Sequence, residues 1–389
     1  MRLPMKQFKT LTTVLLCASL VSGCSWFGGD EDDAAIQPAE LVKFKQEVSV
    51  KRQWSTSVGS GNTDHRNSLR PALSENVVFA GDHEGRVTAL SVSTGKRLWQ
   101  ADLDAPVSGG VGYGAGMVMV GTIEGVVYAL DANDGQLLWT GQVSSEVLTD
   151  PKSNGEVVVV KTIDNRLFAL NASTGEELWQ HDDDAPILSV RGTSAPIVTN
   201  NMVLSGFDSG KMIAFNPENG SLIWESRLAL PQGRTELERM VDIDGDPLLV
   251  GDVIYAVTYQ GRLGAVSRGT GRSLWFQDSS SHHAAAHSAG QVYVTEAEDT
   301  VRAFQAGSGQ EIWSNKGLFL RQVTGPAKLA GTVAVVDAEG YLHLLDPVDG
   351  HFVGRTKIGG GGVSSPLLST GNSLIVQSNN GSVSAYKIQ

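Results

Sequence analysis

The sequence predicts an all-β fold, an eight-bladed β-propeller of four-stranded blades. Three observations lead there. A cassette recurs along the chain at fixed internal spacing, its copies lie about one four-stranded blade apart, and its last copy is divided between the two chain ends. The cassette is a turn residue, then Ala four positions on, Gly six after that, and Trp four after the Gly. It reads Gly85-Ala89-Gly95-Trp99, Gly125-Ala129-Gly135-Trp139, Asn165-Ala169-Gly175-Trp179, Gly210-Ala214-Gly220-Trp224, Gly261-Ala265-Gly271-Trp275 and Asp299-Ala303-Gly309-Trp313. A degenerate copy follows at Gly340-Leu344-Gly350-Gly354. An eighth begins at Gly381-Ala385 and runs out at Gln389, its Trp being Trp54 at the other end of the chain.

Each landmark has a physical task. The first position is Gly, Asn or Asp, the residue types that tolerate positive φ, so it belongs in a hairpin turn. Alternating apolar residues such as Val126, Tyr128 and Leu130 then give the period of a strand. Asp131-Ala-Asn-Asp-Gly135 and its counterparts read as type I turns closing on a left-handed Gly. The Trp comes early in the strand that follows. Upstream, Pro71, Pro151, Pro196, Pro247, Pro326 and Pro366 each precede another apolar hairpin, which makes about four strands per unit. Trp-to-Trp distances of 45, 40, 40, 45, 51 and 38 residues suit such a blade. An open solenoid would need capping repeats and would not split a repeat across the termini, whereas a ring removes both exposed ends.

The N-terminus reads as a lipoprotein signal. Arg2, Lys6 and Lys9 precede an apolar core, Leu11 to Val21, that is shorter than the ~20 residues a spanning helix needs. It ends in Val21-Ser22-Gly23-Cys24, which resembles the bacterial lipobox, with Cys24 as the lipidated residue. Ser25, in place of Asp, favours passage to the outer membrane under the lipoprotein sorting rules. The expected organisation is therefore a signal at 1–23, Cys24 and an acidic tether over 24–46, and the propeller at 47–389. The only cysteines are Cys17 and Cys24, so the propeller has no disulfide and no thiolate. The chain carries a net charge of −12, and −15 once the signal is removed, which argues against a broad nucleic-acid-binding face.

Few residues suggest chemistry. His282, His283 and His287 would bring two imidazoles together only on a helix, and no Glu follows the first His as a zinc peptidase requires. Asp242-Ile-Asp244-Gly-Asp246 begins like a calcium loop, but Pro247 and Val253 occupy the positions that need Gly and Glu. Gly110, Gly112, Gly114 and Gly116 precede a strand and read as hairpin turns, not as a phosphate loop. No metal, cofactor or catalytic residue is expected. What remains is positional. The longest inter-Trp gap, 224–275, holds a charged loop over 232–244, and one blade earlier Leu188, Val190 and Arg191 combine apolar anchors with a cation. Leu188 and Val190 read equally well as buried core.

The cassette resembles the tryptophan-docking motif of quinoprotein dehydrogenases, in which the indole packs against the neighbouring blade. On that resemblance Trp54, Trp99, Trp139, Trp179, Trp224, Trp275 and Trp313 are blade-docking residues. The vicinal Cys pair of the quinoprotein cofactor site is missing here. Taken with the lipobox, the acidic tether, and the segments 188–196 and 235–244, the whole chain resembles the BamB family of propeller lipoproteins of the outer-membrane β-barrel assembly machinery. The resemblance implies a non-enzymatic scaffold that binds the periplasmic domains of the BamA-type barrel subunit and assists barrel insertion, with unfolded barrel proteins as a further partner. The matching positions are Leu188, Val190, Arg191, Asp242 and Asp244; a Leu is also found in the family where Val190 stands. A degenerate quinoprotein dehydrogenase is the competing reading.

Overall fold

The computed structural model describes residues 37–61, 69–183, 194–230, 234–235 and 240–389. Among these residues, thirty-two strands form eight four-stranded sheets. Seven sheets use consecutive strands, as in blade 1, where Ala72–Leu73 (β2), Val77–Gly81 (β3), Arg86–Ser91 (β4) and Arg97–Asp102 (β5) pair in order. The eighth joins the last three strands to the first, Val50–Ser57 (β1), which pairs antiparallel with Ser382–Ile388 (β32). The split eighth copy is therefore the ring closure.

The register explains the cassette. Ala89 faces Trp99 across the two outer strands of blade 1, and the same Ala–Trp pair recurs in blades 2 to 6. In blade 8 it is Ala385 opposite Trp54, drawn from the two chain ends. A small residue opposite the indole leaves the ring free to lean toward the next blade. There its N–H donates to a turn carbonyl at 2.7–2.9 Å: Trp54 to Val92, Trp99 to Ala132, Trp139 to Ala172, Trp179 to Pro217, Trp224 to Arg268, Trp275 to Ala306 and Trp313 to Pro347.

The cassette Gly has two reasons to be Gly. Its φ is positive in every copy, between 67° and 77°. In addition, a β-carbon there would lie 2.4–2.7 Å from an indole carbon of the preceding blade. The turn expectation holds at the first landmark too, except that in blade 5 Gln260 adopts the positive φ in place of Gly261. The glycines at 110, 112 and 114 are not turns. They lie in Val107–Gly114 (β6), where side chains on Gly112 and Gly114 would strike the backbone oxygens of Pro151 and Ser153 in blade 3. Only Gly116, with φ of 80°, turns the hairpin.

Blade 7 shows why its copy is degenerate. The docking turn that its Trp would need would join the outer strands of blade 8, but those strands, β32 and β1, are far apart in sequence and no turn connects them; Gln389 N–H meets the Ser49 carbonyl at 2.9 Å. The outer strand Phe352–Lys357 (β29) carries Gly354 at the Trp position, and Val48 presses against it, 2.9 Å from where a β-carbon would be. Glu47 and Val48 N–H groups both donate to the Val353 carbonyl at 2.8 and 3.1 Å. Phe44 stacks on Phe352, and Arg321 and Arg355 donate to the carbonyls of Ala39 and Val42. Those arginines are braced by Asp337 and His343: Arg355 donates to His343 Nδ1, so Nε2–H is the donor to Asp337. Residues from 39 onward are thus a strap across blade 7, whereas the sequence reading began the propeller at 47. The segment lies outside the repeated cassette, so no landmark marks it.

Trp179→Ala should cost about 3–5 kcal/mol in chemical denaturation, as for a large-to-small core change. Gly220→Ala should also destabilise, through its backbone conformation and its clash with Trp179. In the double variant the clash is gone, so the two losses should fall short of additivity by about 0.5–3 kcal/mol. Simple additivity would contradict this docking.

Candidate functional site

After blade 4 ends with Leu222–Arg227 (β17), the chain returns to the ring interior at Met240-Val241-Asp242-Ile243-Asp244 before blade 5 begins. Ile243 is the wedge. It is fully buried, and a β-carbon on Gly206 would lie 2.6 Å from its Cγ2, so the Gly admits it against blade 4. On the other side the Asp242 carbonyl accepts from Tyr259 N–H of blade 5 at 2.9 Å. With their backbone held this way, Asp242 and Asp244 are only 0% and 3% exposed.

Around them lie Asp208 and Lys161. Lys161 closes a run of four valines in blade 3 and is 2% exposed. Its Nζ donates to the Gly206 carbonyl at 2.9 Å, stands 3.6 Å from Asp208 and lies over the Phe207 ring. Burial first, then the charges of Asp242 and Asp208, push the Asp244 carboxyl up to about 8, against the pull of Lys161. Such a carboxyl gains strongly from any further cation brought beside it.

A second charge cluster crosses the ring. Arg70 at the start of blade 1 reaches both oxygens of Asp246, at the start of blade 5, at 2.7 Å. Blades 1 and 5 stand opposite in a ring of eight, so this pair spans the central channel. Asp150 lies 3.6 Å from Arg70 and also pairs with Lys152, while Ala195 N–H of blade 4 donates to Asp246 at 2.7 Å. Burial pushes Asp150 up, but Lys152 and Arg70 outweigh it and hold the group below the usual carboxylate range. These ion pairs, with the Ala195 hydrogen bond, tie four blades together at the axis. A quinone cofactor does not fit: the two cysteines lie in the N-terminal segment, and a planar ring on the axis would have to separate Arg70 from Asp246.

The structure sorts the residues expected from the sequence. All seven tryptophans dock as described above. Cys24, Leu188, Val190 and Arg191 lie outside the described residues. Asp242 and Asp244 are buried in the segment between blades 4 and 5. His287 lies in a strand, Ala286–Ser288 (β22), with its ring against Tyr255, while His283 is buried and pushed down to about 3. The two do not share a helical face. Asp246, the third acid of the calcium-like run, is instead the partner of Arg70. Sequence reasoning missed Lys161, Asp208, Asp150 and Arg70. Only Lys161 left a signal, a charge ending an otherwise wholly apolar strand.

The family model for outer membrane protein assembly factor BamB matches residues 46–107, 83–315 and 297–389. The chain is 50% identical over 385 residues to the outer membrane protein assembly factor BamB of Pseudomonas aeruginosa, covering 99% of this chain and 100% of that one. The crystal structure of BamB from Moraxella catarrhalis superposes with a TM-score of 0.80 at 27% identity, covering 87% of this chain and 100% of that chain. The quinohemoprotein alcohol dehydrogenase of Comamonas testosteroni superposes with a TM-score of 0.66 at 14% identity, covering 87% of this chain and 76% of the other, a likeness of fold alone.

Lys161→Met removes a buried cation from beside Asp208 and should destabilise by about 3–5 kcal/mol. The Asp244 carboxyl already lies above its unfolded value, and losing the cation raises it further. Stability from these groups is then present at low pH and lost as pH rises. The deficit should therefore be larger at pH 8 than at pH 5 in melting curves; an equal deficit at both would contradict the cluster.

Proposed function

This chain belongs to the family of outer membrane protein assembly factor BamB, and from that premise we propose that it is a non-catalytic scaffold in the assembly of outer-membrane β-barrel proteins. The observation that carries this reading is the family match along the whole propeller, on a ring whose axis is filled by its own ion pairs. Cys24 carries the lipid that holds the mature protein on the periplasmic side of the outer membrane, supported by Val21-Ser22-Gly23-Cys24 and Ser25. The partner is the periplasmic part of a BamA-type barrel subunit. A dehydrogenase role has only the distant fold likeness behind it.

The docking surface is the pair of segments that joins blades 3, 4 and 5. Leu188 and Val190 supply apolar anchors and Arg191 a forked hydrogen-bond donor for a partner carboxylate. Asp242 and Asp244 orient Arg191 within the patch. Supporting this, Ser194 and Ile243 both border the same face of Gly206, and Arg191 is three residues upstream, at most ~10 Å of chain.

One extraction tests this reading. The C-terminally tagged protein, taken from envelopes in mild detergent, should capture the barrel subunit and have a mass that includes acylation at Cys24. Arg191→Ala and Leu188→Ala should each weaken binding by about thirtyfold, ~2 kcal/mol, with unchanged melting temperatures. An unmodified Cys24 would overturn the anchor. Unchanged affinity, or affinity and stability falling together, would overturn the docking surface.

A further inference from the structure

The two docking segments meet at one carboxylate. Asp246 closes the second segment, and its Oδ1 accepts the Ala195 N–H at 2.7 Å, where the first segment re-enters blade 4. Next to this bond, Ser194 and Ile243, one from each segment, bear on the same face of Gly206. The other end of the first segment is fixed separately. There Asp183 accepts from Ser209 Oγ at 2.6 Å and from Lys211 Nζ at 3.0 Å, both in blade 4. Residues 184–193, which lie outside the described residues, thus run between two anchored ends. Only the anchor at Ala195 is shared with the second segment.

Asp246 is itself held from two directions. A β-carbon on the preceding Gly245 would lie 2.3 Å from the His283 carbonyl oxygen, so the backbone there is seated against the chain entering blade 6. From across the channel, Arg70 Nη1 reaches both carboxylate oxygens. Arg70 is aimed by its own backbone. Its N–H donates to the Gly110 carbonyl at 2.8 Å, and its carbonyl accepts from Val111 N–H at 2.6 Å. The glycine-rich strand β6 therefore places the guanidinium, the guanidinium orients the carboxylate, and the carboxylate holds Ala195. Ring stability and docking make different demands on residue 246. The ion pair across the channel needs a negative charge, whereas the bond to Ala195 needs only an acceptor, which an amide oxygen also supplies.

We propose that Asp246, held by Arg70, is a positioning residue for partner binding, setting the two docking segments against each other before the barrel subunit arrives. This rests on the docking surface proposed above and adds to it two residues that act without touching the partner. An interface whose parts are already arranged loses less conformational freedom on binding. Where only a tenth of the molecules hold the binding arrangement, apparent affinity falls about tenfold. Charge at 246 supports the ring and an acceptor there supports docking, so substitution can separate the two.

The test titrates the full-length protein, in mild detergent, with the barrel subunit, well below the melting temperature of every variant. Asp246→Ala should weaken binding about tenfold. Asp246→Asn should recover most of that loss while its melting temperature stays lowered, because it restores the acceptor and not the charge. Hydrogen exchange read by mass spectrometry, in the peptide containing Ala195, should be faster in Asp246→Ala and return toward the parent in Asp246→Asn. Arg70→Met keeps the acceptor without its support and should fall between the two, which keeps the test decisive if Asp246→Ala does not fold. Equal losses of binding in Asp246→Asn and Asp246→Ala would overturn the proposal, since the role would then be the ion pair alone. Parent-like binding by Arg70→Met would also overturn it. If Asp246→Ala binds like the parent while Arg191→Ala does not, this inference fails and the docking surface stands; if Arg191→Ala also binds like the parent, both fail.

Discussion

Seven indoles, each lying where a β-carbon of the next blade's glycine would have to be, hold this molecule together. A single contact performs three tasks. It buries a large aromatic surface, satisfies the indole N–H with a turn carbonyl, and fixes the approach of adjacent blades through a glycine that no larger residue can replace. Because each indole belongs to one blade and its glycine to the next, no blade is complete alone. Stability is passed around the ring, and the rest of the structure follows from how that chain of contacts is closed.

Closure is chemically asymmetric. Seven junctions use the indole, and the eighth cannot, because no turn joins the two outer strands of blade 8. The strap fills this place with Val48 against Gly354 and Phe44 on Phe352, held by arginines that Asp337 and His343 brace. The segment that leads from the tether is therefore also a structural part of the ring. At the centre, Arg70, Asp246, Asp150 and Lys152 join opposite and intervening blades by charge. The surroundings of Asp242 and Asp244 belong to the same interior: burial raises the Asp244 carboxyl, and the wedge of Ile243 holds the backbone of both. A rigid ring with loops and edges at its periphery suits a protein that positions others.

The ring was legible in the sequence because its contacts are periodic. Ala, Gly and Trp recur at one spacing since each blade must solve the same packing problem, and even the lost Trp of blade 7 and the divided eighth copy read correctly. What repetition does not impose was hidden. The strap at 39–46 meets blade 7 through Phe44 and backbone carbonyls, contacts made once and outside the repeat, so no recurring spacing marked them. The glycines of β6 answer to a neighbouring blade's backbone, so they resembled turns. The channel ion pairs join residues 176 apart with no local signal at either end. Asp242 and Asp244 looked like exposed loop acids, because nothing in the sequence tells that Ile243 between them turns inward.

The most direct test of closure compares two unlipidated chains, one beginning at Ser25 and the other at Val58, by thermal and denaturant unfolding. The shorter lacks the strap, β1 and Trp54, so blade 8 loses its outer strand and the ring its last two junctions. It should melt at a markedly lower temperature, or show no cooperative transition, while the longer chain unfolds cooperatively. Equal midpoints and equal denaturant slopes for the two chains would contradict a ring closed through its N-terminal strand.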